Sequence, residues 1–195
     1  MEIYLIRHGE CQYLAKDYND LEKHTINPPL TAKGEEQAHQ LANRLGQVFF
    51  NKIYASDLVR AVQTAAILNS ALHTDVVITP NLREIDLGEL LAKSWDDFPD
   101  IYAKWNLHEE DVPYTGGENG SDVWKRCKTE IDAIIEKDYE RVAIVCHGGA
   151  IRAMICGMLG LPQSRRHFFG NPLQNCSVSV IVHNNEGFYL QSFND

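Results

Sequence analysis

The chain has 195 residues, 44% of them hydrophobic, enough for one domain with a good-sized core or one domain carrying an elaborated insert. Its 18 Lys+Arg against 27 Asp+Glu give a net charge of -9, which repels a polyanion at long range and offers no basic tract for nucleic acid or an acidic membrane surface. Five widely spaced cysteines without a C-x-x-C pair, a start lacking a basic and apolar leader, and no bilayer-length apolar run argue against a disulfide framework, a zinc ribbon or a membrane span, and point to reduced thiols in the cytoplasm.

In chain order, periods of two and of 3.6 residues alternate, the mark of an α/β domain. Residues 2–6 read as a short buried strand. Thr31 is a candidate N-cap, followed by Ala38, Leu41, Ala42, Leu45, Val48 and Phe49 at three- and four-residue steps, which predicts a helix of about four turns. Residues 52–55 form a second strand. Residues 58–72 repeat helical spacing through Val62, Ala65, Ala66 and Ile67, and 76–78 begin an extended piece ending near Glu84. The stretch of about 90–120 is rich in aromatics and acids, closes on Gly116-Gly117, and reads as an inserted helical lid.

A helix over 122–137 follows, then the most apolar strand, 142–146, with another helix from about Gly149. Residues 177–183 and 188–192 flank Asn184-Asn185-Glu186-Gly187, a hairpin signal.

Several of these elements end in chemistry. In a parallel sheet, ligands bind beyond the carboxyl ends of the strands, where the following helices aim their N-terminal N–H groups. Arg7-His8-Gly9 lies past one such end and His147-Gly148-Gly149 past another. Arg60 falls on the first turn after the second strand, and Glu84 at the end of the third extended piece. Two guanidiniums, two imidazoles and a carboxyl on one rim suit a dianionic phosphate. Arginine forks hold phosphate bidentately and keep their charge. A neutral imidazole between them is a competent nucleophile toward phosphorus, so His8 is the candidate, with its other ring nitrogen expected to be held by a carbonyl near Gly9. His147 would donate to a non-bridging oxygen and Glu84 would protonate the leaving oxygen, then serve as base toward water.

Together, L-I-R-H-G-E at 5–10, L-T-A-K-G-E-E-Q-A at 30–38, A-S-D-L-V-R-A-V-Q-T-A at 55–65, L-R-E-I-D-L-G-E at 82–89, Gly116-Gly117-Glu118 and V-C-H-G-G at 145–149 resemble the histidine phosphatase superfamily, also called phosphoglycerate mutase-like, nearly end to end. The resemblance implies a three-layer α/β/α sandwich, with a mostly parallel sheet between helices on both faces and a C-terminal β-hairpin, as a single domain over 1–195. It also implies a phosphohistidine on His8, phosphate contacts from Arg7, Arg60, His147 and the N–H of Gly148, and an acid role for Glu84. The chain departs from the family pattern where Cys11 and Leu14 replace Thr and Asn, and where Leu90-Leu91-Ala92 replaces an aromatic, Glu and Gly.

The spacing from Glu84 to His147 is only 63 positions, and the lobe between them carries more acids than bases, which favours a hydrolase over a mutase. Cys146 to Arg152 also satisfies C-x-x-G-x-x-R, the loop of cysteine-based phosphatases, but that reading leaves Arg7, His8, Arg60 and Glu84 idle, and Cys146 falls in phase with Val142 and Ile144 as a core residue. A non-catalytic binding module would be expected to lack a nucleophile or acid, and neither is missing. Arg165, Arg166 and His167 either reach the site and recognise an acidic substrate or, the favoured reading, form a solvated helix face. His24, His39, His73, His108, His167 and His183 show no ligand spacing, so no metal and no cofactor is expected. The expected partner is a small phosphorylated metabolite, with a homodimer left open.

Overall fold

A computed structural model of the chain describes residues 1–12, 27–91, 93 and 95–195; Leu14 and His24 lie outside the described residues. Six strands form one mixed sheet: β1 (Glu2–Arg7), β2 (Lys52–Ser56), β3 (Val76–Thr79), β4 (Arg141–Cys146), β5 (Val178–Asn184) and β6 (Gly187–Ser192), in the order β3-β2-β4-β1-β5-β6. The first four are parallel to one another, while β5 runs antiparallel to β1 and to β6. The last two close the expected hairpin over a two-residue turn.

Among the described residues five α-helices accompany the sheet: α1 (Ala32–Leu45), α2 (Val59–Leu72), α3 (Pro99–Leu107), α4 (Gly120–Ile135) and α5 (Gly148–Met158). The period-two alternation of β1 sends Ile3 and Leu5 to one core and Ile6 to the other. The first core receives Val123, Cys127 and Ile131 from α4 and Ile151 and Ile155 from α5. The second receives Leu41 and Leu45 from α1 and Ala61, Ala65 and Leu68 from α2. This is the three-layer sandwich. From Val142 to Cys146, β4 has no accessible surface, which explains why it reads as an unbroken apolar run. Among the described residues no helix is long and apolar enough to cross a membrane.

Local chemistry sets the boundaries. Thr31 caps α1 by accepting from the Gly34 N–H at 3.0 Å, as its sequence position predicts. The helix ends at Leu45, before Val48 and Phe49; Phe49 is exposed and Phe50 instead packs edge-on against Tyr4, with ring centroids 5.0 Å apart. On α2 the buried positions are Arg60, Ala61, Thr64, Ala65 and Leu68 rather than Val62, Ala66 and Ile67. Two polar side chains face inward there because the site uses them, which hydropathy alone cannot read. β3 stops at Thr79, a 3-10 turn over Pro80–Leu82 follows, and Glu84 therefore sits on a loop rather than on a strand end.

The segment between β3 and α4 contains 3-10 turns at Gly88–Leu91 and Trp95–Asp97, then α3, none of whose residues is buried. It meets the 163–169 segment through a ring cluster in which Trp105 lies 5.2 Å from His167 and His108 lies 5.1 Å from Phe168. Arg166, expected as part of a solvated face, is buried and pairs with Asp111 at 2.6 Å.

Candidate active site

The strand order places three carboxyl ends side by side, because β4 lies between β1 and β2. Arg7 is in register with Cys146, and Ala55 with Val145, so His8, His147 and Ser56 emerge in a row along one edge. The His8 and His147 ring centroids are 5.1 Å apart, and both side chains are buried.

His8 is held as the sequence suggests. Its Nδ1 lies 2.7 Å from the Gly9 carbonyl oxygen, a contact that requires a proton on Nδ1, and Arg60 Nε–H donates to Nε2 at 3.2 Å. Both contacts select one tautomer, leaving the lone pair on Nε2. Burial lowers the ring pKa to about 3; the Gly9 contact opposes this, and the Arg60 and Arg7 charges reinforce it. The imidazole is therefore neutral at physiological pH, the form a nucleophile needs.

His147 precedes α5 as its N-cap residue. Its Nε2 lies 2.8 Å from the Ser56 hydroxyl, while its buried Nδ1 has no hydrogen-bond partner among the described residues. Burial holds this ring well below the usual histidine range, and the positive charge of Arg60 adds to the effect. Arg7 donates through one terminal nitrogen to the Leu173 carbonyl, and its buried Nε has no partner among the described residues either. Arg7 Nε and His147 Nδ1 are thus buried polar atoms without partners on the edge that carries the neutral His8 ring, and both can donate to an anion when the Ser56 hydroxyl donates to His147 Nε2.

Glu84 completes the rim by an unexpected route. Its Oε1 accepts the N–H groups of Ile85 (2.9 Å) and Ala150 (3.0 Å), and Oε2 accepts that of Gly149 (3.1 Å). The carboxylate thus caps the N-terminus of α5 and takes two of the N–H groups that sequence reasoning had aimed at the ligand. With two bonds on Oε1 and one on Oε2, the oxygen with room for a proton is Oε2. The approach requires glycine at 149, since a Cβ there would lie 2.5 Å from Glu84 Oε1. At 148 a Cβ would meet nothing closer than Arg7 Nε at 3.8 Å.

All five expected side chains, Arg7, His8, Arg60, Glu84 and His147, therefore converge on one edge. Sequence reasoning missed their supports. Thr64 Oγ1 donates to the Arg60 carbonyl at 2.8 Å and accepts from the Gly9 N–H at 3.1 Å. Asn175 Nδ2 donates to the His8 carbonyl at 3.0 Å. Arg126 donates to the Glu84 carbonyl at 3.0 Å while paired with Glu118. Ser56 and Thr64 stood inside the 55–65 motif as polar residues facing the core, a signal that could have been used; Asn175 and Arg126 carried none.

Cys146, the rival nucleophile, has no accessible surface, and burial pushes its thiol well above the ordinary value. Arg152, which would clamp phosphate in that scheme, donates to the carbonyls of Arg166, Phe169 and Asn171 instead. The cysteine reading fails on both counts.

Comparison with known proteins agrees with this geometry. The family model of the histidine phosphatase superfamily (branch 1) matches residues 3–195. Among curated proteins, the "Probable phosphoglycerate mutase GpmB" of Enterobacter sp. (strain 638) is 34% identical over 186 residues, covering 93% of this chain and 84% of the relative. Among solved structures, a mycobacterial glucosyl-3-phosphoglycerate phosphatase in complex with VO3 superposes with a TM-score of 0.82 at 26% identity, covering 99% of this chain and 98% of that one. The α-ribazole phosphatase of Shigella flexneri gives 0.81 at 27% identity, covering 100% and 96%. With its motifs in register and its fold matched from end to end, the chain belongs to branch 1 of the histidine phosphatase superfamily.

Proposed function

We propose that the protein is a phosphomonoester hydrolase that works through a phosphohistidine on His8. The observation that carries this reading is the pair of unpartnered buried groups, Arg7 Nε and His147 Nδ1, on the same edge as the His8 ring, whose Nδ1 is held by Gly9. In the first step Arg60 Nε–H leaves His8 Nε2 for a phosphate oxygen, the freed Nε2 lone pair attacks phosphorus, the bond from phosphorus to the ester oxygen breaks, and that oxygen takes the proton carried on Glu84 Oε2. Arg7, Arg60 and the Nδ1–H of His147 hold the equatorial oxygens as charge shifts onto them. In the second step water attacks the phosphohistidine, Glu84 accepts its proton, and the bond from phosphorus to nitrogen breaks.

Two guanidiniums supply the positive charge, so turnover is expected to persist in EDTA and to need no cofactor. A mutase reading is suggested by the name of the Enterobacter relative. It demands a site that retains a doubly acidic intermediate, and the ion pairing of the lobe argues against that, as developed below.

The test is a hydrolysis screen over phosphorylated metabolites in EDTA, with mass spectrometric search for acid-labile, alkali-stable phosphate on His8. His8→Ala should abolish the label and lower kcat by about three orders of magnitude or more, whereas Cys146→Ser should retain most activity. Label on another residue, or strict dependence on added magnesium, overturns the mechanism.

A further inference from the structure

Beyond Arg60 and Glu84 the cup opens into a cavity of about 370 Å³. Four of its lining side chains are apolar: Leu58 ahead of α2, Ile85 and Leu87 on the loop after Glu84, and Leu91 at the end of the following 3-10 turn. Arg60 and Glu84 line this cavity as well as the phosphate cup, which sets it beside the candidate acid, a place suited to the alcohol half of a bound ester.

Among the described residues, three cations on or near this wall are paired with anions. Arg83, which also lines the cavity, donates to both Asp57 oxygens at 2.7 and 2.6 Å. Lys93 pairs with Glu89 at 2.5 Å and Arg126 with Glu118 at 2.8 Å. The remaining ionised lining residue, Asp86, is itself an anion. A carboxylate on the leaving group would lose its hydration against leucine and isoleucine and would have to share Arg83 with Asp57. An uncharged apolar body loses nothing there and removes its own surface from water. The sequence departure fits the same picture: Leu91 stands where the family resemblance leads one to expect a glutamate.

We infer that the substrates are phosphomonoesters of uncharged alcohols with an apolar or aromatic body, and that phosphoglycerate and phosphoserine are poor substrates. This rests on the hydrolase reading and adds to it the class of leaving group. It also explains why mutase chemistry is disfavoured, since a mutase must hold a carboxylate in this half of the site.

The experiment compares kcat/KM for 2-phenylethyl phosphate with that for 3-phosphoglycerate and O-phosphoserine. All three are esters of primary alcohols, so leaving-group chemistry is nearly matched. Burial of the phenyl group should favour the first by at least about tenfold. Leu87→Asn and Leu91→Asn should each shrink the ratio. Asp57→Asn, which frees Arg83, should raise 3-phosphoglycerate turnover about fivefold while leaving 2-phenylethyl phosphate nearly unchanged. Competitive inhibition by 2-phenylethylphosphonate against phosphonoacetate gives the same comparison for any variant that loses turnover. Equal or greater kcat/KM for 3-phosphoglycerate overturns the inference while leaving the phosphohistidine reading intact. Absence of both turnover and His8 label with every ester overturns both.

Discussion

Burying a neutral imidazole in the candidate cup has a cost that pH can expose. His8 titrates at about 3 in the folded chain against an ordinary 6.5. Between those values the unfolded chain binds a proton that the native one refuses, so the stability associated with His8 is intact above pH 6.5 and is lost as pH falls toward 3. At pH 5 the unfolded imidazole favours its protonated form by about 30 to 1, while the buried ring is protonated in about 1% of molecules, a difference of about 2 kcal/mol relative to pH 7.5. His147 acts in the same direction, as does His167, whose pKa burial lowers to about 4. Both are common to wild type and His8→Asn, so the difference between the two proteins isolates His8. Urea unfolding at pH 7.5 and 5.0, in buffer free of phosphate so that anion binding does not stabilise the native state, measures it. Wild type should lose about 2 kcal/mol more than His8→Asn on that descent. An equal loss would mean that the His8 ring is hydrated or already charged in the native state, and the argument for a neutral nucleophile would go with it.

Gly149→Ala should place its methyl against Glu84 Oε1, displace the carboxylate from the start of α5 and lower kcat by about a hundredfold with little change in KM. Thermal unfolding should stay near wild type, because alanine is the better helix former. Steady-state kinetics on an alkyl phosphate check this, and activity within threefold of wild type refutes it. Ser56→Ala should leave His147 Nε2 without its hydroxyl partner, lower kcat about tenfold and shift the tautomer balance of His147 seen in nitrogen NMR of the ring; an unchanged tautomer would remove Ser56 from the account.

What the sequence disclosed and what it hid divide along a physical line. Arg7, His8 and His147 were legible because each breaks an apolar strand, and the rule that parallel strands open their carboxyl ends to ligand turns that break into a location. The Nδ1 contact of His8 was legible because its partner is the next residue. Glu84 was legible as a residue but not as a geometry: its oxygens are set by N–H groups 65 and 66 positions away, and only glycine at 149 lets them approach. Asn175 lies 167 residues from the carbonyl it holds, in an aperiodic segment that reaches the catalytic loop because β5 runs beside β1. Arg166 misled for the same reason. Its exposed neighbour Arg165 suggested a wet surface, and the Asp111 that buries it arrives from 55 residues upstream. Periodicity reports which face of an element meets the core, and a motif reports which residues carry charge. Neither encodes which distant backbone will supply a partner, so the reacting groups could be named from the chain, while the contacts that hold them in place, and the apolar wall that would choose among phosphate esters, had to await the fold.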